Sequence, residues 1–135
     1  MFVKDCMTKA PITIGPKECL RDAQELMGLK RIRHLPVVDP AGKLLGLLTD
    51  RDLRRASPSP LSGADAASVD AILDGTPVER VMVRAPVAVA STQDIKEAVK
   101  LMVEKKFGAL PVVDAGKLVG ILSQIDVLKL VLRLK

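Results

Sequence analysis

The chain has 135 residues; 48% are apolar, yet its aromatic residues are two Phe, with no Trp or Tyr. The apolar content excludes a disordered chain, so one compact domain or two very small ones must be built around an aliphatic core. One His and two Cys are too few for the usual zinc sites, and any Ser-His-Asp or Cys-His arrangement would have to use His34. Lys and Arg (21) outnumber Asp and Glu (16), and the formal charge of +5 favours anionic partners mildly.

No apolar stretch follows Met1, and no uncharged run approaches the ~20 residues of a membrane span. Cys6 and Cys19 therefore read as reduced core thiols of a cytoplasmic protein.

Along the chain, a shift of 75 residues lays the sequence over itself. Val3 meets Val78, Met7 meets Met82, and Ala10-Pro11 meets Ala85-Pro86. Ile12-Thr13-Ile14 and Val87-Ala88-Val89 alternate as short strands. A helix follows each, with Cys19, Leu20, Ala23, Leu26 and Met27 on one face in the first copy. In the second copy the face carries Ile95, Ala98, Val99 and Met102. Next, Leu35-Pro36-Val37-Val38-Asp39 meets Leu110-Pro111-Val112-Val113-Asp114. The shift then falls to 74 through a one-residue deletion in a turn, and Gly42-Lys43-Leu44 meets Gly116-Lys117-Leu118. Each copy thus predicts a hairpin of two buried strands, the second over residues 44–48 or 118–122. A last helix begins at Thr49 or Ser123.

Between the copies, Ser57-Pro58-Ser59-Pro60-Leu61-Ser62-Gly63 reads as a turn-rich loop, and residues 66–73 as a short helix that Gly75 terminates. Thr76-Pro77-Val78-Glu79 has capping-box form, with a helical turn over 78–82. The organisation expected is repeat 1 over 1–56, a linker with a short helix over 57–75, and repeat 2 over 76–135. The order strand, helix, strand, strand, helix makes an α/β (α+β) fold, and copies this small are expected to share one core.

Each repeat carries Gly-x-x-(Thr/Ser)-x-x-Asp, as Gly46…Thr49…Asp52 and Gly120…Ser123…Asp126. A strand there delivers a hydroxyl and a carboxylate to the first turn of a helix, beside free backbone N–H groups. Two readings stand. In one, Thr49 or Ser123 caps the helix and the Asp reaches back. In the other, the carboxylate accepts from the two hydroxyls of a ribose.

The pieces Arg33-His34-Leu35-Pro36-Val37-Val38-Asp39 with Gly46-Leu47-Leu48-Thr49-Asp50-Arg51-Asp52, repeated as residues 109–114 with 120–126, resemble the CBS domain family. The resemblance covers nearly the whole chain as one tandem pair, a Bateman module. It implies two β-α-β-β-α repeats related by a pseudo-twofold axis, and an adenosine-containing ligand such as AMP, ADP or ATP in the cleft between them, with no required cofactor. Ribose would be held by Ser123 and Asp126 in one cleft and by Thr49 and Asp52 in the other. Phosphates in the first cleft would lie near Arg33, His34 and Arg51, which bind anions well. The corresponding residues of the second cleft are Gly108, Ala109 and Ile125, with no cation. Bases would lie among Cys6, Ile32 and Ile121, or among Val81, Phe107 and Leu47; ordinary core packing is the alternative for each. The linker also resembles the tandem of bacterial acetoin-utilisation regulatory proteins.

The paired cations at 30–31, 54–55 and 105–106 read as solvated faces. With no Trp or Tyr to stack on bases, nucleic acid is disfavoured as a partner. The apolar stretch 127–135 favours a homodimer. The expected function is therefore a regulatory sensor that is not an enzyme and acts in trans on an effector protein. The alternative is a ligand-independent dimeric interaction module.

Overall fold

The computed structural model describes residues 1–57, 63 and 65–134. Of the turn-rich stretch expected between the repeats, residues 58–62 lie outside the described residues, as do 64 and 135. Contact density divides the chain into two units. Unit 1 comprises Met1–Pro11, Ala41–Leu44 and Pro86–Lys135; unit 2 comprises Ile12–Pro40 and Leu45–Ala85.

In unit 2, helix α1 (Leu20–Lys30) buries Leu20, Ala23 and Met27, the stripe expected from their spacing. It ends on Arg31 in the left-handed conformation (φ 55°). Strands β2 (His34–Val38) and β3 (Leu44–Thr49) follow, and Thr49 caps α2 (Asp50–Ala56). Helix α3 (Ala66–Gly75) is capped by the Asp65 side chain and packs on α1. Arg21 on α1 holds it by donating to Asp70 at 2.8 Å and to Asp74. Gly75 is the last helical residue and does not adopt positive φ, so the expected glycine stop is absent; Thr76 occupies the C-cap. Thr76 consequently does not cap the next turn. That turn, a 3-10 helix at Val78–Arg80, has Pro77 at its N-cap with no side-chain bond.

Unit 1 repeats the plan. Asp94 caps α4 (Ile95–Lys105), whose end is again a left-handed non-glycine residue, Lys106 (φ 58°). Strands β5 (Ala109–Asp114) and β6 (Lys117–Ser123) pair antiparallel, and Ser123 caps α5 (Gln124–Val131). Ala115 and Gly116, both at positive φ, close this hairpin in two residues, the geometry of a type I′ turn. Repeat 1 spends one residue more there, which accounts for the change of shift from 75 to 74.

The strands expected at 12–14 and 87–89 reduce to single parallel bridges, Ile14 to Val37 and Val89 to Val112. Pro36 and Pro111 have no N–H to offer a ladder, but their carbonyls accept from Ile14 and Val89 at 3.0 Å. The third strand of each sheet comes instead from the head of the opposite repeat. Strand β1 (Thr8–Lys9) pairs with β6, and β4 (Val83–Arg84) pairs with β3. The sheet orders are β1-β6-β5 and β2-β3-β4.

This exchange is anchored ahead of the strands. The Val3 N–H donates to Gln93 O at 2.9 Å and Lys4 N–H to Ser91 O at 2.9 Å. The equivalent bonds in unit 2 run from Val78 N–H to Glu18 O at 2.7 Å and from Glu79 N–H to Pro16 O at 3.1 Å. Val3 and Val78 are both fully buried. The expectation of one shared core is corrected accordingly: the buried residues form two clusters, and each mixes both repeats. One joins Leu20, Leu35 and Leu48 with Val78 and Met82; the other joins Leu110, Val112 and Leu122 with Val3 and Cys6. Among the described residues, no helix is long and apolar enough to cross a membrane.

Candidate functional site

The two Gly-x-x-(Thr/Ser)-x-x-Asp motifs form the same local structure for the same reason. A strand ends on a hydroxyl residue in extended conformation, and the next residue begins a helix whose first N–H groups lack carbonyl partners. In unit 2, Asp52 N–H donates to Thr49 Oγ1 at 3.1 Å, and Thr49 N–H donates to Asp52 Oδ2 at 3.0 Å. In unit 1, Asp126 N–H donates to Ser123 Oγ at 3.2 Å, and Ser123 N–H donates to Asp126 Oδ2 at 2.9 Å. Both motifs are thus reciprocal capping boxes. A carboxylate has about four lone-pair sites, so capping leaves acceptor capacity on each.

The two carboxylates differ in their surroundings. Asp126 is 9% exposed and is the buried acid of the chain's described residues. It also accepts from the Ser123 hydroxyl at 3.1 Å and from the Thr8 hydroxyl, which lies 3.1 Å from Oδ1 and 3.3 Å from Oδ2. Asp52 is half-buried and takes only the Thr49 N–H among the described residues. Thr8 is a partner of Asp126 that neither motif marks. Its signal lies in the overlay of the two repeats, where Thr8 meets Val83.

Around Asp126, unit 1 gathers several of the expected residues. Ile121 faces Thr8 in the β1–β6 register. Cys6 is buried, and its thiol lies 3.3 Å from Met1 Sδ. Burial pushes the Cys6 thiol up, against the pull of Arg133, so it remains a neutral, apolar-type contact rather than a thiolate. Cys19 is only half-buried and sits at the N-cap of α1, its thiol 3.3 Å from Asp22. Phe107 is half-buried against the unit 1 core and lines a groove of about 240 Å³ between α4 and α5, with Val103 and Leu128.

Around Asp52, unit 2 gathers the rest. Asp50 N–H donates to Arg33 O at 3.0 Å, tying the start of β2 to the first turn of α2. This places Arg33 and His34 on one side of that turn and Arg51 within it, with both arginines exposed. His34 is half-buried. Burial lowers its pKa below the usual 6.5, Asp50 and Asp52 pull it back up, and Arg33 pushes it further down. Leu47 is buried and faces Val83 in the β3–β4 register. Ile32 and Val81 are half-buried against the unit 2 core.

Known proteins share this arrangement in sequence and in fold. The sequence profile of the CBS domain matches residues 3–59 and again 78–133. A putative acetoin utilization protein (AcuB) from Vibrio cholerae is 34% identical in a superposition covering 98% of this chain and 91% of the other, at a TM-score of 0.82. The CBS-pair protein CBSX2 from Arabidopsis thaliana, solved in complex with AMP, is 32% identical over 98% of this chain and 96% of its own, also at 0.82. The CBS domain pair of protein MJ0100, solved with 5-methylthioadenosine and S-adenosyl-L-methionine, is 26% identical over 100% and 98%, at 0.81.

Proposed function

The chain belongs to the CBS domain family, with two copies in tandem, and from that premise we propose that it is a regulatory module that binds an adenosine-containing ligand. Binding biases its conformation, and no covalent chemistry is required. The observation that carries this reading is Asp126, a largely buried carboxylate at a helix N-terminus whose capping duty leaves acceptor capacity unused. A buried charge retained beside free acceptor sites suits recognition of neutral hydroxyls. Family members of the same architecture have been solved with AMP and with 5-methylthioadenosine and S-adenosyl-L-methionine, all of which carry a ribose.

On this reading Asp126 with Ser123, and Asp52 with Thr49, receive ribose hydroxyls. Arg33, Arg51 and His34 receive phosphate, for which the planar guanidinium of arginine is suited by its bidentate hydrogen bonding. Cys6, Ile32 and Ile121 would contact one base, and Val81, Phe107 and Leu47 another. The test is calorimetric titration of the full chain with AMP, ADP and ATP, alongside thermal melting. A ligand at 100 times its Kd stabilises the folded state by about 2.7 kcal/mol, enough for a clear melting shift. Asp126→Ala and Arg33→Ala are expected to weaken binding at least tenfold; wild-type affinity in both variants would remove the site assignment.

We also read the protein as a homodimer. The α4–α5 groove of repeat 2 is lined in part by exposed Val103 and Leu128, and Val131 and Leu132, further along the chain, are exposed as well. In the overlay, Gly28 and Arg54 stand where Val103 and Leu128 do, so repeat 1 lacks the two aliphatic side chains that repeat 2 exposes there. A second copy laid on this face would cover it by a twofold contact. Native mass spectrometry reads subunit number and bound nucleotide together. A dimer with no response to any adenosyl ligand would favour the alternative, an interaction module without a ligand.

A further inference from the structure

The Thr8 hydroxyl is not needed to cap α5. The Thr49–Asp52 pair closes the same capping box in unit 2 with Val83 at the equivalent place. The hydroxyl nevertheless donates into the carboxylate of Asp126 across 118 residues of sequence. Its effect follows from how the acceptors are used. Asp126 Oδ2 takes the N–H and the hydroxyl of Ser123 and the longer arm of the Thr8 hydroxyl at 3.3 Å, whereas Oδ1 takes, among the described residues, only the Thr8 hydroxyl at 3.1 Å. A hydroxyl that has donated its proton still presents its lone pairs. Oδ1 and Thr8 Oγ1, 3.1 Å apart, are therefore two adjacent acceptors separated by one hydrogen-bond length. That spacing suits the two neighbouring hydroxyls of a cis-diol, one donating to each.

We propose that Thr8 and Asp126 together form a two-acceptor receptor for a vicinal diol, and that Thr8 is the specificity-determining residue that makes unit 1 select a complete ribose over its deoxy forms. The inference rests on the reading of Asp126 as a ribose partner. Unit 2, with Val83 facing Leu47, has no hydroxyl from the exchanged strand to set beside its carboxylate. A site built to hydrogen-bond a hydroxyl discriminates strongly against the analogue lacking it, because its polar group is left unpaired.

The experiment titrates the full chain with AMP, 2′-deoxy-AMP and 3′-deoxy-AMP, in wild type, Thr8→Val, Thr8→Ser and Asp126→Ala. Wild type is expected to prefer AMP to at least one deoxy form. Thr8→Val should weaken AMP binding about 5- to 30-fold, the usual cost of losing one hydrogen bond near a charge. It should affect the discriminated deoxy form much less, so the ribose preference collapses, and Thr8→Ser should restore both. If Thr8→Val keeps wild-type affinity and preference while Asp126→Ala loses binding, Thr8 is merely structural and the proposal fails alone. If Asp126→Ala also binds normally, the ribose reading itself has failed. Should Thr8→Val not fold, Thr8→Ser and the wild-type deoxy series still decide: equal affinity of wild type for all three nucleotides overturns the proposal.

Discussion

His34 is the one side chain of the chain whose charge changes near neutrality, and its surroundings fix the sign of its effect. Burial lowers its folded pKa below 6.5, so between that lowered value and 6.5 the unfolded chain binds more protons than the folded one. Stability from this group is complete above pH 6.5 and declines as pH falls toward the folded pKa. Urea unfolding at pH 8, 7, 6 and 5.5 should show that decline, and His34→Gln should flatten it. Asp114 acts in a separate window: the Ser91 hydroxyl and N–H hold its carboxyl below 3.8, so its contribution is lost only in acid. At this scale the sequence revealed residue types and motif spacing, including both capping boxes. It did not reveal the third donor on Asp126, because Thr8 reaches that carboxylate only through a strand pairing between distant parts of the chain.

Two glycines show how the exchanged strands are accommodated. A Cβ on Gly120 would stand 2.5 Å from Met7 Sδ and 2.9 Å from the Thr8 carbonyl; on Gly46 it would run into Met82 Sδ and stand 2.9 Å from the Val83 carbonyl. The thioethers can move, but the carbonyl oxygens belong to the paired strands. Gly120→Ala should therefore cost about 1–3 kcal/mol in urea unfolding, as overpacking does, and should displace β1. Gly28, inside α1, has nothing within 4 Å of the place a Cβ would take, so Gly28→Ala should stabilise by about 0.5–1 kcal/mol. The same substitution thus has opposite signs in a strand and a helix. The long elements α1, α4, β5 and β6 were legible because periodicity marks them. The two-residue strands β1 and β4 were not, since their side chains are exposed and two residues carry no period.

Across the whole molecule, each unit depends on residues from both repeats. The unit 2 core is incomplete without Val78, Met82 and Leu73, and the unit 1 core without Val3 and Cys6. A fragment of residues 1–56 or 65–135 alone therefore lacks part of the core it must fold around, and chains of this size have little stability to spare. Circular dichroism should find each fragment largely unfolded by itself, with structure returning when the two are mixed. Cooperative melting of either fragment alone would show that the exchange is not required for folding.

The sequence by itself determined the duplication, the long helices and hairpins, the capping motifs and the family, because all of these are written in local spacing and in the match of one half to the other. Only the tertiary structure decided that each repeat completes its sheet with the head of the other, and that Thr8 meets Asp126 while Val83 stands in the place that faces Leu47. Those outcomes depend on which of two near-identical sheets receives a short strand. The choice is made by a buried valine, a few backbone hydrogen bonds and a glycine that leaves room, and the two halves are too alike in local pattern to distinguish the alternatives.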